Sequence, residues 1–369
     1  MPNVVISGYY GFDNLGDEAV LHAIISALRQ EAPGIEITVL SNNPTKTEEL
    51  HGIKSVSRWN LIEILSSIKK ADMLISGGGS LLQDVTSPAS LLYYLGVIFL
   101  AKALRKKVFI YAQGFGPVKR KWARVLTKNL LQRVEFITLR DEDSAEELKS
   151  LGVKRPPIVV TADPVMGLDV SHIEKKLGAS VLEQVGTEIN RPLVGFALRR
   201  WKKEESYLAS VADCADRLLD DGVLPVFIPF HMPDDLEVSR AILQKMKRKG
   251  AVLIEEQLTP DEMISLISNL TLIVGMRLHS LIMASVVEKP VLGISYDPKV
   301  ERFLRMISDV PAMNCEDVSA EKLYSLIKSR IKQGLTSNER LKIAELRCRA
   351  LSTSKLAVRC LNDVLFSEE

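Results

Sequence analysis

An α/β fold of two domains, each built on a mostly parallel sheet, follows from three features of the chain. Short apolar runs alternate with longer helical patterns along most of its length, the signature of successive βαβ units. Nearly every apolar run ends in a polar or glycine-bearing tip, in the first half and again in the second. The chain has 369 residues, too many for one ordinary core and suited to two domains of common size.

Composition narrows the class. An apolar content of 46% and a charged content of 25% exclude disorder, and a net charge of +2 gives no global reason to expect nucleic acid. Cys214, Cys315, Cys348 and Cys360 lie far apart and match neither a zinc site nor a disulfide framework, so no metal is expected and a reducing cytosol fits. The sequence enters a strand-like run at residues 4–6 without the basic and apolar segments of a signal peptide. No apolar run approaches the length of a bilayer-spanning helix, the nearest being residues 91–101. A cytoplasmic protein is expected. The sequence does not indicate its oligomeric state.

In the first half, a strand ending at Ser7 leads through a glycine-bearing loop to a helix at 18–30 and a strand at 35–40. Gly8, Gly11 and Gly16 do not make the GxGxxG spacing, so a dinucleotide fingerprint is not supported. Asn14, Asp17 and Glu18 just before the helix can cap it or bind sugar hydroxyls. A third strand, 73–75, runs into Ser76, the glycines Gly77, Gly78 and Gly79, and then Gln83 and Asp84. Three glycines after a buried strand let a ligand or a neighbouring backbone come very close. A helix at 90–104 and a strand at 108–112 follow, with Gln113 at the strand's tip. Next come Lys119, Arg120 and Lys121 beside Trp122, which read as a solvated surface or as a contact for an anionic membrane face. Strand 136–139 ends at Arg140, and strand 158–160 at Asp163, which either holds Arg140 or caps a turn. These tips line one edge of one sheet, as a ligand-binding wall would.

The stretch 170–190 is polar and irregular and reads as a connection between domains. A second series then begins: strand 191–198 with the tip Arg199 and Arg200, a helix at 207–221, and strand 225–229 with the tip His231. The clearest unit is LIVGMRLHSLIMASVVEKPVLGISYDPK from Leu272. It reads as strand 272–274, an elbow at 276–279, a helix at 280–287 and a further strand. Such an elbow lies at the C-terminal end of a parallel strand and at a helix N-terminus, a place that attracts anions. If it is extended, Arg277 and His279, two positions apart, face one ligand. Otherwise Arg277 holds a local carboxylate and His279 satisfies a buried carbonyl. After residue 316 the chain is helical, at 318–333 and 337–366. In the last segment Leu341, Leu346, Leu351, Leu356, Leu361 and Leu365 are nearly five apart, which defines no single stripe and implies a break or a mostly buried helix. The organisation expected is a Rossmann-like domain at 1–175, a second at 190–335 facing it across a cleft, and a helical tail at 336–369 able to cross back over the first.

GYYGFDNLGDEA, SGGGSLLQD, AQGFGP, LRDEDS and above all GMRLHSLIMA together resemble the polysaccharide pyruvyltransferase family over nearly the whole chain. The likeness is strongest to bacterial members that modify secondary cell-wall polymers, the anchors of S-layers. The resemblance implies a GT-B-like fold and transfer of pyruvyl from phosphoenolpyruvate to N-acetylmannosamine of a lipid-linked precursor, giving a 4,6-ketal. It implies that Arg277, Leu278, His279 and the adjoining Ser280 form the donor site, joined by Arg199 or Arg200, and that peripheral membrane contact accompanies a lipid-linked acceptor. No cofactor is implied beyond phosphoenolpyruvate as substrate.

The residue types suit that chemistry. Phosphoenolpyruvate carries a phosphate and a carboxylate, which guanidinium groups grip bidentately. Ketal formation needs a proton delivered to the donor's methylene carbon, and a histidine titrating near neutrality is the natural carrier, here His279. Asn14, Asp17, Gly78, Gly79, Gln83, Asp84 and Gln113 are the candidates on the acceptor side. The principal rival is a nucleotide-sugar glycosyltransferase or epimerase of the same fold, with Glu288 as its ribose-binding candidate. A non-catalytic carbohydrate-binding protein is the third reading.

Overall fold

The computed structural model describes residues 1–85, 87–187, 189–201 and 204–363. Phe366, where the last helix was expected to end, lies outside them. The chain forms two compact units: Met1–Asp13, Asp17–Leu168 and the chain from Leu346 make the first, and Asn14–Gly16 with Asp169–Glu345 make the second.

The first unit alternates strand and helix throughout: β1 (Asn3–Ser7), α1 (Leu15–Glu31), β2 (Glu36–Ser41), α2 (Pro44–His51), β3 (Lys54–Ser57), α3 (Leu61–Lys70), β4 (Met73–Ser76), α4 (Pro88–Ala103), β5 (Lys107–Gln113), α5 (Lys121–Leu131), β6 (Phe136–Leu139), α6 (Glu142–Ser150) and β7 (Ile158–Val160). Its strands are all parallel and run β3-β2-β1-β4-β5-β6-β7. A parallel sheet must be covered on both faces, so its inner strands read as near-continuous apolar runs. Val4, Val5 and Ile6 are accordingly buried.

Two sequence expectations change here. The strand at Met73 is the fourth, because β3, whose sequence is KSVS, carries too little apolar signal to be noticed. Helix α1 begins at Leu15 rather than residue 18, which brings Gly16 and Asp17 into its first turn.

The second unit repeats the plan: α7 (Lys175–Gln184), β8 (Leu193–Ala197), α8 (Glu204–Asp220), β9 (Leu224–Phe227), α9 (Asp234–Lys245), β10 (Val252–Leu253), α10 (Pro260–Ser268), β11 (Leu272–Gly275), α11 (Leu278–Val286), β12 (Val291–Ser295), α12 (Pro298–Ile307), β13 (Met313–Asn314), α13 (Ala320–Gln333) and α14 (Ser337–Leu361). Its sheet is parallel with the order β10-β9-β8-β11-β12-β13. The stretch read as a connection contains α7, which packs on α10 as part of this unit. At Gly178 a side chain would come within 2.2 Å of the Leu266 amide nitrogen, so this glycine is what lets the helices touch.

Helix α14 is unbroken, contrary to the leucine spacing. The stripe that packs is Ile343, Leu346, Ala350, Thr353, Ser354, Ala357, Cys360 and Leu361, whereas Leu341 is exposed. Its spacings of three and four are those of one helical face, carried by small residues. From Leu346 on, the helix belongs to the first unit. There Lys107 Nζ donates to the carbonyls of Cys360 (3.1 Å) and Leu361 (2.7 Å), satisfying the helix C-terminus with a cation.

The start of α14 is held by a buried ion pair. Arg330 Nη2 donates to Glu339 Oε1 at 2.6 Å, and both side chains are almost fully buried. Glu339 also accepts from Ser308 Oγ and from the amides of Asp309 and Thr336. Burial alone would raise the Glu339 carboxyl, but the Thr336 amide and the Arg330 charge outweigh it and hold the carboxyl below its usual range. A lowered carboxyl stabilises the fold above its unfolded pKa, and that stability fades as pH falls through the folded value. Glu339→Ala, which strands Arg330, is expected to lower unfolding stability by about 3–5 kcal/mol. In thermal melts the variant should lie below wild type at pH 7, with the gap narrowing under acid conditions.

Candidate functional site

In the second unit the strand order reverses between β8 and β11, and ligands of open α/β sheets bind beyond the carboxyl ends of strands at such a point. Arg199 lies just past the end of β8 and Arg277 just past the end of β11. Gly275 permits the tight strand-to-helix turn, since a side chain there would lie 2.4 Å from Ser280 Oγ. Arg277 is the residue before α11 and is extended, with φ −81° and ψ 120°, and it makes no side-chain cap. His279 is already helical. The expectation that both share one side of an extended elbow therefore does not apply. What singles out His279 is burial: every other residue of α11 is buried, and His279 is half-buried.

Arg277 is fixed from behind. Its Nε donates to Asp235 Oδ2 at 2.9 Å, and its Nη2 donates to the other carboxylate oxygen. Asp235, at the start of α9, is fully buried and also accepts from the amides of Phe230 (3.1 Å) and His231 (3.0 Å). The carboxylate thus ties the β9 tip to the β11 tip. Sequence reasoning missed it because Asp235 reads as an ordinary acid in the first turn of a helix.

Arg199 and Arg200 separate clearly. Arg199 is half-buried, its guanidinium 4.4 Å from the Tyr296 ring centre, and Nη1 donates to the Tyr296 hydroxyl at 2.6 Å. Tyr296 follows β12 and so stands on the same sheet edge. Arg200 is exposed and pairs with Glu237 across the surface at 3.2 Å. Leu278 is buried. The Ser280 hydroxyl donates to the Arg277 carbonyl at 2.7 Å, which gives it a turn-holding role in place of the expected donor contact. Glu288, the rival's candidate, is exposed and ion-paired with Arg340 on α14.

Asn14, expected on the acceptor side of the first domain, belongs to the second unit. It forms a backbone bridge with His231, its side chain accepts from the Gly16 amide at 3.2 Å, and Leu15 N donates to Phe230 O at 3.0 Å. A side chain at Gly16 would lie 2.2 Å from His279 Nδ1 and 3.0 Å from its Cβ. The imidazole is therefore held beside Gly16.

The first unit reverses its strand order between β1 and β4, and the glycine triplet follows β4. Gly79 has φ +93° and bridges to Gln113, and a side chain on it would lie 3.3 Å from Asp17 Oδ1. Gln113 is fully buried; its Nε2 reaches Ser76 O (3.1 Å), Ser76 Oγ (2.7 Å) and Gly77 O (2.9 Å). A bulge in β5 at Ala112, with φ +43°, aims it there. Gln113 is thus a brace for the glycine loop rather than an acceptor ligand.

Asp84 is likewise structural. Buried, it accepts from the amides of Lys119 (2.9 Å) and Arg120 (2.7 Å). Burial would raise its carboxyl, but those amides and the Arg120 charge bring it below the usual range. Gln83 makes a long 3.4 Å contact with Ser80 O. A side chain at Gly78 would meet Val20 at 2.7 Å, so that glycine serves packing. Asp163 both caps Val165 N at 3.2 Å and faces Arg140 at 3.7 Å. Asp17 remains as the acidic group beside the triplet. Arg58, just after the unpredicted strand β3, was also missed; it is 4% exposed and surrounded by Phe12, Trp59, Tyr93 and Tyr94. Among the described residues, no group of three or more His, Cys, Asp or Glu could hold a metal ion, and no helix is long and apolar enough to cross a membrane.

Two parallel α/β units of this kind define a GT-B fold, and solved structures agree. UDP-GlcNAc 2-epimerase from Methanocaldococcus jannaschii superimposes with a TM-score of 0.67 at 13% identity, over 96% of this chain and 99% of its own. The Neisseria meningitidis UDP-GlcNAc 2-epimerase gives 0.63 at 16% identity, over 98% and 100% of the two chains. E. coli ADP-heptose LPS heptosyltransferase II gives 0.54 at 13% identity, over 90% and 99%. Within that fold the chain belongs to the polysaccharide pyruvyl transferase family, whose model matches residues 14–298. The amylovoran biosynthesis protein AmsJ of Erwinia amylovora is 21% identical over 355 residues, spanning 80% of this chain and 84% of AmsJ. The chain is accordingly a pyruvyltransferase of polysaccharide biosynthesis.

Because Gly16 abuts His279, Gly16→Ala is expected to displace the imidazole and to cost about 1–3 kcal/mol by overpacking. Its check is a lowered melting temperature together with shifted His279 ring resonances in NMR spectra, the other histidines being unmoved.

Proposed function

We propose that the chain transfers pyruvyl from phosphoenolpyruvate to N-acetylmannosamine of a lipid-linked cell-wall polymer precursor, forming a 4,6-ketal and releasing phosphate. The observation that carries the donor assignment is the gathering of Arg199, Arg277 and half-buried His279 on the sheet edge at the second unit's strand reversal. Two fixed guanidiniums suit a ligand with a phosphate and a carboxylate. Arg199 is preferred over Arg200 because Tyr296 holds it on that edge while Arg200 lies in solvent with Glu237.

In this reading His279 protonates the donor's methylene carbon, which becomes the ketal methyl group. The first sugar hydroxyl then bonds to the adjacent carbon and gives up its proton. The second hydroxyl takes the place of phosphate at the same carbon, and phosphate leaves carrying the remaining proton. Arg277, its orientation set by Asp235, stabilises negative charge gathering on the departing phosphate. Asp17 is the candidate to accept a hydroxyl proton, because it is the carboxylate beside the glycine triplet.

Peripheral membrane contact is part of the proposal. Leu92 and Phe99 on α4 and Trp122 and Val125 on the neighbouring α5 are exposed, next to Lys119, Arg120 and Lys121. An apolar face bordered by cations suits an anionic leaflet. Co-sedimentation with anionic vesicles should be seen for wild type and lost in Phe99→Ser/Trp122→Ser.

The reaction is tested by incubating the protein with phosphoenolpyruvate and an N-acetylmannosamine-bearing acceptor. Free phosphate and an acceptor mass gain of one pyruvyl ketal are expected together, and both should vanish in Arg277→Ala. At saturating donor, His279→Ala should lower turnover by roughly 10²–10⁴-fold. Near-normal turnover would remove the proton-donor role, and neither product from wild type would remove the assigned acceptor or reaction.

A further inference from the structure

The first unit contains a buried positive charge without a carboxylate partner. Arg58 is 4% exposed, yet no described residue forms an ion pair with it. Nη1 donates to the Gly8 carbonyl at 3.1 Å, and the guanidinium lies against the hydroxyls of Tyr93 and Tyr94. The remainder of its surroundings is aromatic, with the guanidinium carbon 4.2 Å from the Tyr93 ring centre, 5.0 Å from Phe12, 5.2 Å from Trp59 and 5.5 Å from Tyr94. Ring faces attract the cation, but they do not satisfy its hydrogen bonds. A buried charge normally persists only when it is paired and hydrogen-bonded.

The hydroxyls around it are buried donors. Apart from the approach of Tyr93 and Tyr94 to Arg58 and of Tyr93 to Ser7, Arg58 Nε and the hydroxyls of Ser7, Tyr10, Tyr93 and Tyr94 make no hydrogen bond among the described residues. Ser7, Tyr10 and Tyr94 are each no more than 2% exposed. Ser7 ends β1, Tyr10 and Arg58 follow β1 and β3, and Tyr93 and Tyr94 come from α4. Side chains at Gly8 and Gly77 would lie 2.7 Å and 2.2 Å from the Tyr10 hydroxyl, so both glycines are bare where Tyr10 sits. A guanidinium with no carboxylate partner, ringed by hydroxyls that keep an O–H to donate, amounts to a site for an oxyanion. Beside it Trp59 is 66% exposed, with its indole fixed by a 2.8 Å hydrogen bond to Asn42 Oδ1. An exposed, immobilised indole offers an apolar face to a sugar ring.

We infer that the first unit binds a glycosyl phosphate, with the phosphate on Arg58 and the hydroxyls of Ser7, Tyr10, Tyr93 and Tyr94, and the sugar ring against Trp59. That this ligand is the acceptor rests on the pyruvyl-transfer reading; the site itself does not.

Calorimetry on the full chain without phosphoenolpyruvate tests it, using N-acetylglucosamine 1-phosphate, N-acetylglucosamine and inorganic phosphate as probes. The sugar phosphate should bind more tightly than either part, and Arg58→Met should weaken it by roughly 10- to 100-fold. Trp59→Ala alters an exposed ring and should fold. It is expected to weaken the sugar phosphate about 3- to 10-fold while leaving inorganic phosphate unaffected. Ser7→Ala, which keeps the charge, gives a second reading should Arg58→Met melt early. Equal affinity for phosphate and sugar phosphate would overturn the sugar half. No anion binding by wild type, or binding indifferent to both Arg58 and Ser7, would overturn the site. Tight phosphoenolpyruvate binding to Arg277→Ala that is lost on adding Arg58→Met would reassign the site to the donor. Since no product is measured, failure here is separable from failure of pyruvyl transfer.

Discussion

The reversal of strand order in each parallel sheet is the constraint on which the rest depends. A parallel sheet needs helices on both faces, and the chain covers both by building outward from one strand, returning, and building the other way. At such a reversal the flanking connections part to opposite sides of the sheet, which leaves a crevice beyond the strand ends. The first unit has its reversal between β1 and β4, the second between β8 and β11. Arg58, Asp17 and the glycine triplet gather near one; Arg199, Arg277 and His279 stand at the other.

The two reversals treat charge differently. In the second unit Arg277 is neutralised by Asp235, which is itself anchored by two backbone amides, so the guanidinium is rigid and its remaining donors are aimed. In the first unit Arg58 rests among rings, with a carbonyl and tyrosine hydroxyls as its polar contacts and no carboxylate. A cation held by π faces keeps more of its electrostatic pull for an incoming anion than one already paired with a carboxylate. Rigidity is thus favoured at the second site and attraction at the first.

Much of this was legible in the sequence. Parallel strands buried on both faces leave apolar runs with polar tips, so β1, β4, β6, β8 and β11 could be read directly. The Arg277 and His279 elbow was visible because a strand, a glycine and a helix follow one another within a few residues. Other features were not visible because their signals are not local. Asp235 acquires its meaning from Arg277, 42 positions away. Gln113 looked like a ligand group because the bulge that turns it inward arises from pairing with β6. β3 is half serine, and with it Arg58 escaped notice. In α14 the leucines misled because, among the described residues, only Leu346 and Leu361 of that series are buried, and small residues such as Ala350, Thr353, Ser354 and Ala357, which leucine spacing does not count, carry most of the packing face between them.

Neither unit is a continuous stretch of chain. Residues 14–16 belong with the strands of the second unit although residues of the first precede and follow them, and the chain from Leu346 returns to the first. Relatives could therefore not trade halves by a single crossover near residue 168. A recombined gene would have to carry the short segment at the head of α1 and the tail of α14 along with their respective partners. Divergence in this architecture is channelled into strand tips and loops, where specificity can change while the chain's lacing stays intact.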